Sequence, residues 1–469
     1  MQNHNKLSFS KLYRHFITAI TGKESEFTTG SIRRAIFMLS IPMILEMLME
    51  SIFALVDIAY VSRVSVNAVA TIGLTESVIT LIYAVSIGLS MAATAVVARR
   101  IGEKNLKGAR EAAVQAILLG ITIAIITGSI GAFYAREILE LMGGSPELIE
   151  EGQGYTRLML GGNITILLLF LINAIFRGAG DASMAMWTLV LSNGLNIVLD
   201  PIFIFGWGPV PEYGVMGAAI ATNIGRGAAV LFQLAILFFG WGKIKIGFAD
   251  LVFRLKVMLG LIKVSLGGIA QFLIGTSSWI FLMRIMSEFG SEVLAGYTIA
   301  IRVMMFSLMP SWGMSNAAAT LVGQNLGAKQ ADRAEMSVWI TGRYNAYFMF
   351  LISVLYLCFA REIIMLFSAV PSVVENGTLC LQLIAAGYVF YAYGMVLTQA
   401  FNGAGDTKTP TKINFLVFWA FQLPFAYLMA IILDYGPSGV FIAIAVAEII
   451  LAVATLVMFK KGKWKEIQV

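Results

Sequence analysis

Three carboxylates, Glu46, Glu50 and Asp57, stand inside the first long apolar run, 35–60, at spacings of 4 and 7. At about 100° per residue, those spacings put all three on one face of a helix. A later apolar run, 184–206, carries Asn193, Asn196 and Asp200 at spacings of 3 and 4, again on one face. An ionisable group at mid-bilayer costs about 2.5–3.5 kcal/mol on insertion scales, so such residues are rare unless they work. Carboxylates that share a dry site with amide and hydroxyl oxygens can take up a proton or bind a monovalent cation. Pro42, near the start of the first run, and Pro201, directly after Asp200, each remove a backbone donor and can bend their helices.

The rest of the chain supplies the medium in which those groups matter. Of 469 residues, 58% are hydrophobic and 13% charged, and the mean hydropathy is +0.82. Soluble proteins carry roughly 25% charged residues. The composition excludes a soluble enzyme, a nucleic-acid binder and a disordered chain, and makes the bilayer the solvent. The only histidines, His4 and His15, precede the first apolar run. Cys358 and Cys380 lie in apolar segments without metal-ligand spacing and read as two free, buried thiols. There is no G-x-S-x-G, H-E-x-x-H or G-K-[ST]. The reading is therefore not an enzyme, with no organic cofactor.

Apolar runs between breakers predict an all-α polytopic protein of twelve membrane helices, at 35–60, 68–97, 112–135, 156–176, 184–206, 215–240, 259–288, 293–322, 336–359, 379–401, 411–433 and 438–459. They group into a basic leader, 1–34, a six-helix lobe, 35–240, an amphipathic connector, 241–258, a second six-helix lobe, 259–460, and a basic tail, 461–469. In the leader, Leu7–Ile20 mixes apolar and basic residues and reads equally as an interfacial helix or as a solvated arm. With the N-terminus inside, the inside segments collect 26 of the 33 Lys and Arg. The outside loops hold four: Arg63, Arg136, Arg157 and Arg361. That asymmetry places both termini in the cytoplasm and the chain in the cell membrane.

Shifted by 225 residues, the chain matches itself. Phe176–Asp181 (FRGAGD) meets Phe401–Asp406 (FNGAGD), and Ala135–Ile138 recurs at Ala360–Ile363. Gly102 meets Gly327, Lys104 meets Lys329 and Gly214 meets Gly439. Six helices per half give the halves one orientation, related by an axis along the membrane normal. Transporters built this way hold substrate between the halves and alternate access by rocking. The repeat is also an internal control, because a need of the scaffold should recur. At this offset Glu46 falls on Gln271, Glu50 on Gly275 and Asp57 on Leu282, while Asn193, Asn196 and Asp200 fall on Phe418, Phe421 and Phe425. The acidic cluster belongs to the first half alone and is assigned to a site rather than to the fold. Scaffold readings are preferred for the Gly-Ala-Gly-Asp turns, for Arg284 and Arg302 as salt-bridged or interfacial groups, for Glu76 and Glu448, and for most of the 24 methionines.

In these residues the chain resembles the multidrug and toxic compound extrusion (MATE) transporters, from about 30 to 460. Four pieces carry the resemblance: Pro42 with Asp57; Asn196–Pro201 (NIVLDP); Gly217–Thr222 (GAAIAT); and Leu321–Ala328 (LVGQNLGA). It implies a V-shaped pair of lobes exporting amphipathic, often cationic, compounds against inward Na⁺ or H⁺ movement. In the branch whose cation site lies in the N-lobe, the matching residues are Asp57, Asn196, Asp200 and Thr222. Relatives with a C-lobe site use acidic residues in the seventh and tenth helices; here the seventh offers Gln271 and no mid-membrane acid and the tenth offers Tyr391 and Gln399, so the N-lobe branch fits better. Substrate-cavity candidates are Glu46, Glu50, Asn193, Gln271, Tyr391 and Gln399. Expected partners are a small amphipathic cation and the bilayer, with no nucleic acid, and one chain forms a complete pathway as a monomer. The alternative is a flippase for a lipid or lipid-linked substrate. Such proteins often have further helices and a basic cavity, whereas the first half here is acidic.

Overall fold

The computed structural model describes residues 9–22 and 26–469. His4, Lys6 and Lys23 of the leader lie outside the described residues. The leader contributes α1 (Phe9–Thr21). The first lobe holds α2 (Ile32–Val61), α3 (Val66–Gly102), α4 (Leu106–Phe133), α5 (Ala135–Leu141), α6 (Pro146–Gly161), α7 (Ile164–Ala179), α8 (Ala182–Phe205) and α9 (Val215–Phe239). The second holds α10 (Leu255–Ser287), α11 (Ser291–Gly327), α12 (Ala331–Met365), α13 (Pro371–Ala385), α14 (Tyr388–Ala404), α15 (Lys408–Asn414), α16 (Leu423–Tyr427) and α17 (Pro437–Lys460). Among the described residues, eleven helical spans are long and apolar enough to cross a membrane, and α13 with α14, bent by 57°, makes a twelfth.

The repeat extends to irregular details of the backbone. The fourth span is not one helix over 156–176 but α6 and α7, broken at Gly162 and Asn163. The tenth breaks at Ala386 and Gly387, so Gly162 and Gly387 stand at the same offset of 225. Lys104 and Lys329 share a left-handed φ of 58°. Gly180 and Gly405 share φ 88° and end α7 and α14 in the same way. The Gly-Ala-Gly-Asp pieces are thus helix caps. Asp181 accepts the Lys243 backbone N–H at 2.6 Å, and Asp406 accepts that of Thr409 at 3.1 Å.

The connector holds one 3₁₀ turn, Phe248–Asp250, and α10 begins at Leu255. Two expectations change. Both thiols are free, but Cys358 is exposed on the outside of α12, because an apolar segment facing lipid need not bury its side chains in protein. The pairing of Gly214 with Gly439 shifts by three residues. Gly214 and Gly436 cap α9 and α17 with near-identical torsions, φ 54°, ψ −135° and φ 59°, ψ −146°. Gly217 and Gly439 each donate back to those caps at 3.0 Å. A shorter loop in the second half causes the shift. It makes the offset between these last two helices 222, and their buried faces then coincide residue for residue over most of their length.

Lipid gives little hydrophobic drive for helix association, so small residues and close backbone approach set the packing. The lobes meet through symmetric pairs at the end of the bundle that carries the described ends of the chain. A Cβ on Gly102 would collide with the Gln324 carbonyl, and one on Gly327 with that of Arg99. Within each lobe the same close approach recurs: Gly178 packs on the Thr94 backbone and Gly403 on that of Ala319. In mid-bundle, Gly88 of α3 packs on Ser265 and Ile269 of α10, and Gly313 of α11 packs on Met43 and Ile44 of α2. The tail ties the same end. Trp464 is fully buried and stacks on Phe459 at 4.7 Å, while Arg99 and Arg100 of the first lobe donate to the Ile467 and Val469 oxygens.

Candidate cation and substrate sites

The polar face of α8 is drawn against α9 by a missing side chain. A Cβ on Gly225 would stand 2.7 Å from the Ser192 carbonyl. This close approach brings Thr222, three residues earlier, against Asn196. Asn196 Nδ2 donates to Asp200 Oδ1 and to Thr222 Oγ1, each at 3.1 Å. Asp57 of α2 is near enough to Asp200 to act on it electrostatically. The two amide donations leave three oxygens, Asp57 Oδ1, Asn196 Oδ1 and Asp200 Oδ2, buried and without a hydrogen-bond partner among the described residues. Buried polar atoms are paired in the great majority of cases, so these three oxygens are exceptions on α2 and α8. Asp57 lies four residues from the end of α2, about 6 Å along the axis. The site therefore sits toward the end of the bundle away from the described chain ends.

A central cavity separates the lobes. One part, about 190 Å³, is lined by Glu46 and Glu50 of α2, Asn173 and Arg177 of α7, and Asn316 and Asn402 of the second lobe. A contiguous part, about 410 Å³, runs into the second lobe past Gln271, Trp312, Tyr391, Gln399 and Glu448. Of the substrate-cavity candidates, Glu46, Glu50, Gln271, Tyr391 and Gln399 line this space. Asn193 does not line either part; its amide donates to the Met49 carbonyl at 3.0 Å and joins α8 to α2. Pro42 and Pro201 both lie inside their helices.

Glu46 is bound rather than free. Arg177 Nη1 pairs with its Oε1, Asn173 donates to the same oxygen at 3.3 Å, and Gln233 holds Asn173 at 2.7 Å. The equivalent residues of the second lobe, Gln271 and Asn402, also pair, exchanging hydrogen bonds of 3.0 and 3.3 Å. Gln271 further donates to the Thr407 carbonyl at 3.1 Å. The joint between the first and fourth spans thus recurs in both halves, ionic in one and neutral in the other. For Glu46, the inference from its absence in the second half does not hold, because the contact persists while the charge does not.

Arg226 carries weight that sequence reasoning missed. It lies one turn beyond Thr222 on α9 and is buried. Its Nη2 donates to the Tyr83 hydroxyl at 3.2 Å, its guanidinium covers the Phe53 ring at 5.4 Å, and its Nη1 has no partner among the described residues. Its charge acts on Glu50, Asp57 and Glu76. The rule that flagged the acids, an ionisable group inside an apolar run, applies equally to Arg226. Arg284 is exposed and paired with Glu288 at 2.9 Å, as expected of a scaffold group.

The MatE family model matches twice, over residues 42–202 and 269–428, once in each lobe. The chain belongs to the MatE family. Like other MATE transporters it is an integral membrane protein of two six-helix lobes. It is 27% identical over 440 residues, 93% of this chain and 94% of the relative, to the probable multidrug resistance protein NorM of Thermotoga maritima. The multidrug export protein MepA of Staphylococcus aureus is 20% identical over 433 residues, 92% of this chain and 94% of MepA. A solved structure described as the outward-facing conformation of a multidrug resistance MATE family transporter superposes with a TM-score of 0.88 at 26% identity, covering 95% of this chain and 99% of that one. Both passes of the MATE family model take in a cavity-lining joint residue, Asn173 in the first lobe and Gln271 in the second.

Proposed function

We propose that this MATE transporter exports amphipathic, cationic small molecules by alternating access, in exchange for Na⁺ or H⁺ bound among Asp57, Asn196, Asp200 and Thr222. The observation that carries this reading is the set of three buried, unpartnered oxygens on Asp57, Asn196 and Asp200. A bound Na⁺ would take all three with the Thr222 hydroxyl, and protons would neutralise the two carboxylates. Either occupant changes the charge beside Arg226 and the shape preferred by α2, which lines the cavity through Glu50. Coupling then follows from the different affinity of the two conformations for cation and substrate. The names of NorM and MepA support a drug-like cargo, and the acidic wall of the cavity supports a positive charge on it. On the Lys/Arg asymmetry the termini face the cytoplasm, so the contact of the lobes at that end corresponds to an outward-open state of a monomer. The test is efflux of ethidium from cells expressing wild type or Asp200→Asn at equal membrane levels, with sodium varied at fixed pH and then pH at fixed sodium. Loss of efflux in the variant supports the reading, and wild-type efflux in the variant overturns it.

A further inference from the structure

The register of the last two helices places Arg226 and Glu448 at equivalent positions, 222 residues apart. The lobes thus bury opposite charges at one site of the repeat. Arg226 donates to the Tyr83 hydroxyl, and its charge acts on Glu50, Asp57 and Glu76. Glu448 is buried on α17, lines the 410 Å³ cavity and makes no hydrogen bond or ion pair among the described residues. No Lys or Arg lines that cavity among the described residues. Its walls are aromatic and thioether, with Trp279, Trp312 and Phe418 beside Met305, Met309 and Met395. The Thr398 hydroxyl and the Asn414 side-chain amide oxygen, both at the same wall, are buried and without a partner among the described residues.

We infer that the second-lobe cavity is a binding pocket for a hydrophobic organic cation, with Glu448 as its counterion. The chemistry is that of a charge delocalised over apolar surface. Aromatic faces attract such a cation, methionines adapt to its shape, and a single carboxylate in a dry wall fixes its charge without demanding a particular hydrogen-bond geometry. The volume falls within the range of drug-sized pockets, roughly 300–1,000 Å³. The pocket shares Ile87, Met91, Met309, Trp312, Gln399 and Asn402 with the space beside Glu46 and Glu50, so a cargo held there touches both lobes. The Asp57 and Asp200 site lines neither part, which keeps the coupling cation and the cargo on separate carboxylates.

This inference rests on the proposed cationic cargo, and its test separates the two. Tetraphenylphosphonium is titrated into the purified chain and followed by quenching of tryptophan fluorescence, since Trp279 and Trp312 line the pocket. Glu448→Gln should weaken binding at least about tenfold, as loss of one member of a buried charge pair does, and leave binding of neutral triphenylphosphine oxide unchanged. If Glu448→Gln binds the cation as tightly as wild type, the inference is overturned while the export reading stands. If wild type binds no tetraphenylphosphonium, the inference and the cationic cargo fall together. A second readout needs no variant: dicyclohexylcarbodiimide modification of Glu448 in wild type, read by peptide mass spectrometry. Protection by tetraphenylphosphonium is expected, and absence of protection overturns the pocket.

Discussion

The joint between α2 and α7 and its counterpart between α10 and α14 are the same contact in two chemistries. Glu46 and Arg177 form an ion pair, whereas Gln271 and Asn402 exchange amide hydrogen bonds. The neutral pair shows that the fold does not require charge there. The comparison also shows that an acid missing from one lobe does not by itself mark a site. What separates Asp57 and Asp200 from Glu46 is their partners. Each of Glu46, Asp57 and Asp200 keeps one buried oxygen without a partner among the described residues, but Glu46 holds the Arg177 guanidinium and the Asn173 amide on its other oxygen, whereas Asp200 holds only the neutral Asn196 amide. Their counterparts at the sequence offset, Leu282 and Phe425, pack as ordinary apolar side chains.

The largest effect that bears on this contrast is on transport. Asp57→Asn and Asp200→Asn each should lower coupled export by at least about tenfold, because coupling depends on differential affinity. Both should leave folding intact, judged by thermal melting in detergent. The joint should behave in the opposite way. Glu46→Gln leaves Arg177 half-stranded and should cost about 3–5 kcal/mol of stability, the usual result of breaking a buried pair. Glu46→Gln/Arg177→Asn rebuilds the second lobe's amide pair and should recover most of that loss. Failure of the double variant to recover would break the comparison.

A smaller effect is conformational. Gly102→Val places methyl groups against the Gln324 backbone where the lobes meet, and overpacking of this kind costs about 1–3 kcal/mol. Spin labels at Lys107 and Asp332, exposed positions equivalent in the repeat, should report a shift to longer distances across that end. The smallest effect belongs to Arg333, which donates to the Gly30, Thr29 and Phe27 carbonyls at 2.9, 2.8 and 3.3 Å. Arg333→Ala should lower thermal stability by about 1 kcal/mol, since partly exposed hydrogen bonds contribute little.

Much of this was legible without coordinates. Apolar runs fix the number of spans, and the 225-residue offset fixes two lobes of like orientation. The shared face of Asn196 and Asp200 follows from helical spacing, whereas Thr222 joins them only through the resemblance to the MATE family. Other features were hidden for physical reasons. The breaks at Gly162 and Gly387 fall inside continuous apolar runs, where hydropathy is blind to backbone direction. The Glu46–Arg177 pair joins residues 131 apart, a separation that no local pattern reveals. The equivalence of Arg226 with Glu448 depended on a loop shortened by three residues, which a gap-free offset conceals. The caps at Gly214 and Gly436 reveal it only through their backbone torsions.

The central claim is that Asp57 and Asp200 bind the coupling cation. The most direct test is dye flux in proteoliposomes under an imposed Na⁺ gradient at fixed pH and then a pH gradient at fixed Na⁺, with wild type and Asp200→Asn side by side. The account expects one gradient to drive wild-type flux at least about tenfold above the gradient-free rate, and neither to drive the variant. Gradient-driven flux in Asp200→Asn equal to that of wild type would contradict it.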